Sequence, residues 1–416
     1  MNRIVILGTG TGGTLVANRL RRSFDESDTL ITCVDQDDSH IYQPGLLFVP
    51  FGLAHTEDIV RPRGRQLHRG IDYRNAVVER VDVLAQRVVL SNGYLDYDVL
   101  IIATGAVLAP EDTEGLLGPG WMEKVFTFYT PEGAGALEGA LATFDHGRLV
   151  VNVVAMPIKA PIAPLEFCFL TDWYLRDRGI RNRVELTYVA PRDGESTRPL
   201  ATADLATMLD ERDIAVVSAF NTATVDGVDG RLISHDGRVV PFDLAVIVPA
   251  HKGAAFLAAS EGLGDALGFV TTNPHTLQCS GAPNIFALGD AANVPIGKAG
   301  MVTLFEGETL VKNVVHYLRD EPLEPSYDGH SSGFVETGFS KAMLIDFNYD
   351  VGSDTGEHPG PFGLPLLKET HLNHLGKMMF QWFYWHNLLA GRNIPGLHSA
   401  MSPPATTPRV DVADHQ

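Results

Sequence analysis

The chain has 416 residues, of which 45% are hydrophobic and 20% charged, so its composition is that of a folded protein and its length predicts about two or three domains. Its net charge is −19, from 32 basic and 51 acidic residues, which argues against a nucleic-acid partner because binding to phosphates needs clustered Lys and Arg. The three cysteines, Cys33, Cys168 and Cys279, show no C-x-x-C spacing, so neither a disulfide framework nor a metal site is indicated.

The first predicted strand begins almost at the N-terminus. Residues 4–7 are already its apolar core, which leaves no room for a cleavable leader sequence. No run of about 18 apolar residues predicts a membrane-spanning helix. We therefore expect a cytoplasmic protein in a reducing compartment.

The opening segment, RIVILGTGTGGTLVANRLRR, has the pattern of a dinucleotide-binding turn. Gly8, Gly10 and Gly13 follow the strand in G-x-G-x-x-G spacing and precede a helical pattern. Glycines at this spacing permit a tight turn, close approach of a pyrophosphate and close helix-to-strand packing. The next strand, LITCVD, ends at Asp35, where an acid can bind a ribose hydroxyl. Together these segments predict a nucleotide site.

The region after residue 146 repeats the alternation of strands and helices. The pattern predicts strands at 148–154, 184–189, 215–219 and 243–249 and helices at about 163–178 and 202–213. No glycine motif follows the first of these strands, where the chain reads MPIKAP. Prolines stiffen this turn, and bulky side chains stand where a pyrophosphate needs bare backbone. We therefore expect a second doubly wound domain that does not take an electron-donating nicotinamide.

Two more segments resemble flavoproteins related to glutathione reductase. DYDVLIIATGA (96–106) ends a strand at Ala103, Thr104 and Gly105, and APNIFALGDAAN (282–293) delivers Gly289 and Asp290 to a helix N-terminus. The resemblance implies one FAD, with Asp290 at its ribityl chain. The fold class that follows is α/β with two Rossmann-like doubly wound domains and a C-terminal amphipathic region. One of the two is a discontinuous FAD domain, and the other is a degenerate second dinucleotide domain.

Most of the chain resembles the sulfide:quinone oxidoreductase family. The resemblance rests on HIYQPGLLFVPFG (40–52), APLEFCFLTDWYLRDRGIR (163–181), FVETGFSKAMLIDFNYD (334–350) and HLGKMMFQWFYWHNLLAGRNIPG (374–396). It implies a flavin that accepts electrons from sulfide over a redox cysteine pair and passes them to a quinone.

The redox cysteine pair of that family is missing. Its positions match Ala160 and Gly333, where no thiol is available to carry a sulfane sulfur. The nearest remaining thiol, Cys168, lies about two helical turns further on and is predicted to be a core residue, because free cysteine is among the most buried residue types. Family membership and family activity are therefore separate expectations.

Three further side chains are candidates for catalysis. Glu166 either complements the dipole of its helix or acts as a general acid or base. His251 follows a strand end, where sites form, although ordinary loop hydrogen bonding is the alternative. Lys298 matches a family lysine near the flavin, where a cation stabilises the reduced anion, and its alternative is a solvated loop position. Lys159 is basic beside the proline-bounded turn and is equally compatible with solvent exposure.

The C-terminal segment 368–396 is basic and aromatic in an otherwise acidic chain. MMFQWFYWHNLL, flanked by Lys377 and Arg392, is typical of a helix in a membrane interface, and a packing helix is the alternative. We expect the chain to have four parts: an FAD domain (1–108 and 253–322), a second Rossmann-like domain (109–252), a membrane and quinone region (323–401) and a disordered tail (402–416). A homo-oligomer is compatible with this sequence.

The resulting hypotheses place the protein on the inner face of the cell membrane as a peripheral enzyme. The first is an FAD-dependent oxidoreductase that passes electrons from sulfide or another small donor to a quinone. The second oxidises a non-sulfide donor without cysteine chemistry. The third is a flavin-binding partner protein whose catalytic machinery has decayed, which the retained FAD motifs disfavour.

Overall fold

A computed structural model describes residues 1–191, 203–350 and 365–392. The predicted disordered tail at 402–416 lies outside these residues. The helices are α1 (Thr11–Ser23), α2 (Pro131–Thr143), α3 (Ala163–Asp177), α4 (Ala203–Glu211), α5 (Gly300–Leu318) and α6 (His371–Phe383). The strands of two parallel sheets and a C-terminal hairpin are β1 (Asn2–Leu7), β2 (Thr29–Asp35), β3 (Ile71–Asn75), β4 (Val99–Ile102), β5 (Val125–Phe126), β6 (Gly147–Val153), β7 (Val184–Val189), β8 (Ile214–Val217), β9 (Leu244–Val248), β10 (Ile285–Ala287), β11 (Ser331–Gly338) and β12 (Lys341–Phe347).

The first parallel sheet has the strand order β10-β4-β1-β2-β3. Its central strands are continuous apolar runs because helices and loops cover both faces of the sheet. Ile4, Ile6 and Leu7 of β1 are fully buried. The parallel arrangement brings the carboxyl ends of β1, β2, β4 and β10 to one edge, where a doubly wound sheet binds its ligand.

The second parallel sheet has the order β5-β9-β6-β7-β8. β6 and α3 begin and end within one residue of their predicted bounds, 148–154 and 163–178. The two parallel sheets confirm the predicted α/β fold class. A three-stranded antiparallel sheet of Thr222–Asp226, Arg231–Ser234 and Val239–Pro241 follows β8.

The remaining strands form smaller sheets, separate from the two parallel ones. They are Val78–Asp82, Arg87–Leu90 and Gly93–Asp96 in one antiparallel sheet, and the pairs Ser39–Ile41 with Val60–Pro62, Val107–Leu108 with His251–Lys252, and Val270–Thr271 with Ala292–Asn293.

The C-terminal part consists of the antiparallel hairpin β11-β12, helix α6 and a π-helical turn, Tyr384–Leu388. The hairpin packs on α3 and α6. No helix within the described ranges has the length and apolarity needed to cross a membrane. The predicted aromatic segment divides in two, since Tyr384, Trp385 and Leu388 are buried whereas Met379 and Trp382 are exposed.

Candidate functional site

A cavity of ≈ 900 Å³ lies at the carboxyl edge of the first sheet and continues to the hairpin and α6. Its volume is within the range of about 300–1,000 Å³ typical of ligand sites. Most of the residues predicted to form the site line it: Gly8, Gly10, Asp35, Ala103, Thr104, Gly105, Ala160, Glu166, Gly289, Asp290, Lys298 and Gly333. Gly13 and His251 lie outside the lining. Positions more than 300 residues apart in sequence thus share one space.

The glycine turn between β1 and α1 has the geometry that its spacing predicts. Gly8 has a φ of +90°, a left-handed value that favours glycine. A Cβ on Gly13 would stand 1.8 Å from the carbonyl oxygen of Gly8, so the third glycine is required for helix-to-strand packing. A Cβ on Gly10 would meet nothing within 4 Å and would enter the cavity. The turn therefore presents bare backbone at the N-terminus of α1.

Asp35 at the end of β2 holds the glycine turn through Thr9. Its Oδ2 accepts hydrogen bonds from the backbone N of Thr9 at 2.7 Å and from the Thr9 hydroxyl at 2.9 Å. The Arg63 guanidinium lies 3.3 Å from the same oxygen. The carboxylate is thus already oriented at the cavity wall, where a ribose hydroxyl would meet it.

The strand ends β4 and β10 supply the opposite wall. Thr104 lines the cavity, and its hydroxyl is a buried polar atom with no partner among the described residues. A buried hydroxyl without a partner is costly, so a ligand is expected to satisfy it. The empty space at Gly10 and the unpartnered Thr104 hydroxyl both fit a dinucleotide lying along this edge.

Lys298 and Asp290 form the floor of the cavity next to β10. The Lys298 ammonium donates to the carbonyl oxygens of Asp290 at 2.8 Å and Ala292 at 3.0 Å, and lies 3.8 Å from the centre of the Phe269 ring. Burial lowers the pKa of Lys298 and raises the pKa of Asp290. The lysine is therefore buried and held in place, not solvated as the alternative interpretation had it.

The proline-bounded turn packs directly on the Lys298 loop. The backbone N of Ala160 donates to the carbonyl of Lys298 at 2.6 Å, and the Tyr129 hydroxyl donates to the carbonyl of Ala160 at 3.2 Å. On β11, a Cβ at Gly333 would meet nothing within 4 Å. Ala160 and Gly333 therefore face one cavity, and a side chain at Gly333 has space to enter it.

Lys159 also lines this part of the cavity, although solvent exposure was equally compatible with its sequence context. Its ammonium lies 6.0 Å from the centre of the Tyr129 ring, and no carboxylate among the described residues pairs with it. Burial lowers its pKa. This wall of the cavity consequently carries a lysine that forms no salt bridge within the described ranges and whose charge interacts with that of the Asp290 carboxylate.

All three cysteines are buried and free. Cys168 lies within the core on α3 with none of its surface exposed, and burial raises the pKa of its thiol above the ordinary range. None of the described residues that line the cavity is a cysteine. The structure thus agrees with the interpretation of Cys168 as a core residue.

Glu166 takes part in a buried ionic network that sequence patterns could not reveal. It accepts hydrogen bonds from the Lys377 ammonium of α6 and from the backbone N of Glu336 at 2.6 Å. Glu336 in turn contacts Nδ1 of His374 at 3.0 Å, and burial raises the pKa of Glu336. Lys377 is separated from Glu166 by 211 positions, so only the tertiary fold joins them.

His251 lies behind Tyr129 instead of in the cavity wall. Its Nδ1 is 2.9 Å from the carbonyl of Pro249, and its ring meets the Tyr129 ring edge-on at 5.6 Å. Burial and the nearby Lys159 lower its pKa to about 3, so it is neutral at physiological pH. The geometry gives it no direct access to a ligand in the described cavity.

Comparison with known proteins agrees with this geometry. The family model of the pyridine nucleotide-disulphide oxidoreductases matches residues 2–154. The mitochondrial sulfide:quinone oxidoreductase of Dictyostelium discoideum is 27% identical over 405 residues, which cover 94% of this chain and 87% of that protein. The chain is similar to sulfide:quinone oxidoreductases over most of its length. The predicted resemblance is therefore confirmed, and with it the predicted enzyme class of flavin-dependent oxidoreductase.

Two further matches extend the comparison. The solved sulfide:quinone oxidoreductase of Aquifex aeolicus has the same fold, with a TM-score of 0.80 at 20% identity over 94% of this chain and 92% of that one. A type II NADH:quinone oxidoreductase of Staphylococcus aureus is 24% identical over 77% of this chain and 84% of that protein. All three proteins are named as oxidoreductases that act with a quinone.

Proposed function

We propose that the protein is an FAD-dependent oxidoreductase that transfers electrons from a small donor to a quinone without a redox pair of protein thiols. The observation that carries this proposal is one cavity in which the dinucleotide turn, the Lys298 floor and the two thiol-free positions, Ala160 and Gly333, all meet. The names of the relatives support quinone as the acceptor. The donor side follows from the residues of this chain.

The FAD site is assigned to the first sheet. The backbone at Gly8 and Gly10 would hold the pyrophosphate and Asp35 a ribose hydroxyl, and the family resemblance implies that Asp290 would hold the ribityl chain. When bound, FAD supplies a two-electron carrier between donor and acceptor. Lys298, held at the floor of the cavity, places positive charge where a reduced, anionic flavin is stabilised.

The quinone is assigned to the apolar end of the cavity, where the hairpin and α6 face each other. Phe380, Phe383 and Leu344 are among its lining residues, and these suit a hydrophobic ring and tail. Reduction of a quinone consumes protons. The buried pair of Glu166 and Lys377 lines the same end of the cavity and is placed to supply a proton, so the acid-base role of Glu166 is retained in this proposal.

The donor enters on the side of Ala160, where the wall carries Lys159 instead of a thiol. A lysine ammonium in a mostly apolar cavity, with no salt bridge to a carboxylate of the described residues, favours an anionic donor. Sulfide reacts in this cavity only by direct attack, because no thiolate is present to carry the sulfur away. We therefore expect slow or absent turnover with sulfide. Likewise, we expect no reduction by NADH, because Met156 and Ile158 occupy the turn that a pyrophosphate would need.

An anaerobic donor screen tests the proposal. Purified protein with FAD is mixed with sulfide, NADH and small anionic reductants, and the flavin absorbance is followed before and after addition of a quinone analogue. Bleaching by a small anion, reversed by the quinone analogue, supports the proposal, and Lys159→Met should weaken binding of that anion whereas the exposed control Lys124→Met should not. Rapid bleaching by NADH contradicts the donor assignment, and a protein that takes up no FAD contradicts the whole proposal.

A further inference from the structure

The turn after α6 reaches across the molecule to the dinucleotide turn. The Tyr384 hydroxyl lies 2.8 Å from the hydroxyl of Thr11 and 2.6 Å from Nε2 of His40. Thr11 is the first residue of α1 and lines the cavity beside Gly10. Tyr384 itself is 97% buried, since only 3% of its surface is exposed. A residue predicted for the membrane interface therefore touches the nucleotide site.

These hydrogen bonds form a network from Thr11 through Tyr384 and His40 to the carbonyl oxygen of Thr9, and this last acceptor fixes the direction of every bond in it. Nδ1 of His40 lies 3.1 Å from the carbonyl oxygen of Thr9, which can only accept, so Nδ1 carries the proton. Burial lowers the pKa of His40 to about 3, so the ring is neutral and Nε2 accepts from the Tyr384 hydroxyl. The Tyr384 oxygen is then left to accept from Thr11. The network starts at Thr11 and ends at Thr9, on the same turn.

Side chains of α1 donate hydrogen bonds to the main chain of the segment after Tyr384 and hold it against the helix. Asn18 donates to the carbonyl of Leu389 at 2.6 Å, and Arg22 donates to the carbonyl of Ala390 at 2.7 Å. Gly391 has a φ of +66° and lies so close that a Cβ on it would stand 3.1 Å from the backbone N of Arg19. Tyr384 is therefore fixed relative to α1 by the contact of its own hydroxyl with Thr11 and by the segment that follows it, which is a condition for it to orient the turn.

We propose that Tyr384 is a positioning residue for the pyrophosphate of the flavin cofactor. Its hydroxyl engages the Thr11 side chain, so the N–H groups at the start of α1 are held in a fixed orientation and are left free for the phosphates. A turn that is already ordered loses less conformational freedom when the cofactor binds. The proposal rests on the FAD binding argued above. It also makes the π-helical turn that follows α6 part of the cofactor site.

The test measures FAD affinity of the full-length apoprotein by quenching of flavin fluorescence, without any turnover. Tyr384→Phe removes the hydroxyl and keeps the ring, and it is expected to raise the Kd for FAD by about tenfold, because two hydrogen bonds of the turn are lost. The matched control is Tyr327→Phe. Tyr327 is also fully buried, and its hydroxyl donates to the carbonyl of His330 at 3.2 Å, outside the cavity lining. Its Kd should change by less than about twofold.

A double-mutant cycle with Thr11→Val identifies the route of the effect. Tyr384→Phe and Thr11→Val delete the same hydrogen bond, so the double variant should bind FAD about as weakly as Tyr384→Phe alone. Effects that multiply, or a Tyr384→Phe effect no larger than that of the control, overturn the proposal. If Tyr384→Phe fails to fold, Thr11→Val removes the same bond from the other end and must itself weaken FAD binding. Failure of the wild-type protein to bind FAD refutes the proposed function instead.

Discussion

Gly10 and Gly13 carry different functions although they stand three residues apart. A Cβ at Gly13 would overlap the carbonyl of Gly8 at 1.8 Å, whereas a Cβ at Gly10 would meet no protein atom within 4 Å. We expect Gly13→Ala to destabilise the fold by about 2–4 kcal/mol, as overpacking against backbone does. Gly10→Ala should keep the wild-type unfolding midpoint of the apoprotein and lose FAD affinity. Chemical denaturation and FAD titration of both variants separate the two effects, and equal loss of stability in both would contradict this assignment.

Glu306 beneath Gly289 is a second residue whose environment makes a prediction. It is fully buried, accepts a hydrogen bond from the backbone N of Gly289 at 2.5 Å, and its Oε1 has no partner among the described residues. Burial raises its pKa to about 8 from 4.5, against the opposing effects of the Gly289 hydrogen bond and Lys298. Nearby Asp290 adds to the increase.

The folded protein therefore binds one more proton than the unfolded chain between those two pKa values. The free energy of unfolding contributed by Glu306 must fall as the pH rises through this window, by at most about 1.4 kcal/mol per pH unit. Glu306→Gln is neutral at every pH and should remove this slope, whereas Glu308→Gln, on the same helix and paired with Lys312, should keep it. Urea unfolding from about pH 5 to about pH 8 measures the slope. A wild-type slope in Glu306→Gln would contradict the assignment.

Helix α6 combines an ionic inner face with an exposed apolar outer face. Lys377 and Asn373 face inward, whereas the exposed fractions of Leu375, Met379 and Trp382 are 53%, 61% and 61%. These three positions follow helical spacing, so they form one stripe. Ending the chain before Lys368 would also remove Lys377, which contacts the buried carboxylate of Glu166, so a truncation would not separate membrane binding from stability.

We expect Leu375, Met379 and Trp382 changed together to Ser to abolish binding to liposomes while leaving the unfolding midpoint nearly unchanged, because each of these side chains is more than half exposed and buries little apolar area within the protein. The matched control changes three exposed apolar residues elsewhere, Leu84, Val228 and Val239, to Ser. A sedimentation assay with vesicles of anionic lipid measures the difference. Equal loss of binding in both triple variants, or no binding by the wild-type protein, would contradict a membrane role for α6.

The elements themselves were more accessible from sequence than the contacts between them. Strand β6 and helix α3 were predicted within one residue, because an apolar run and a proline at the first helical turn are local signals. The partner of Glu166 was not predicted, since nothing in the local pattern of the sequence selects Lys377 from the other lysines. The division of the aromatic segment was missed for the same reason. Tyr384 and Trp382 are both aromatic residues of one short segment, and only packing on α1 decides which one is buried.

At the scale of the whole molecule, two surfaces with different chemistry meet around one cavity. One surface is the proline-bounded turn with Lys159, where we propose that the donor enters. The other is the hairpin and α6 with the pair Glu166–Lys377, where we propose that the quinone binds. The glycine turn was predictable because its motif is local, whereas the shared cavity of Ala160 and Gly333 could be inferred only through the family resemblance. The structure places both positions in that cavity, although 173 residues separate them in sequence.

The two thiol-free positions give the last prediction, which concerns the chemistry of the entire site. In the wild-type protein all three cysteines are buried, so a thiol reagent added to the folded protein should label none of them. Ala160→Cys combined with Gly333→Cys should introduce two reactive thiols and raise sulfide-dependent quinone reduction by at least about tenfold. Once the pair is oxidised to a disulfide, sulfide would open it to a persulfide on one cysteine and a thiolate on the other, and closing these two into a trisulfide would release two electrons to the quinone. Each single variant is the control and should gain a reactive thiol without that rate, since one cysteine forms no intramolecular pair in this cavity.

Cys168→Ala tests the remaining alternative, that Cys168 replaces the missing thiols, because it would then lower sulfide turnover in the wild-type background. Brisk sulfide turnover by both the wild-type protein and Cys168→Ala would establish that this cavity oxidises sulfide without protein thiols, and the donor assignment would then have to be abandoned.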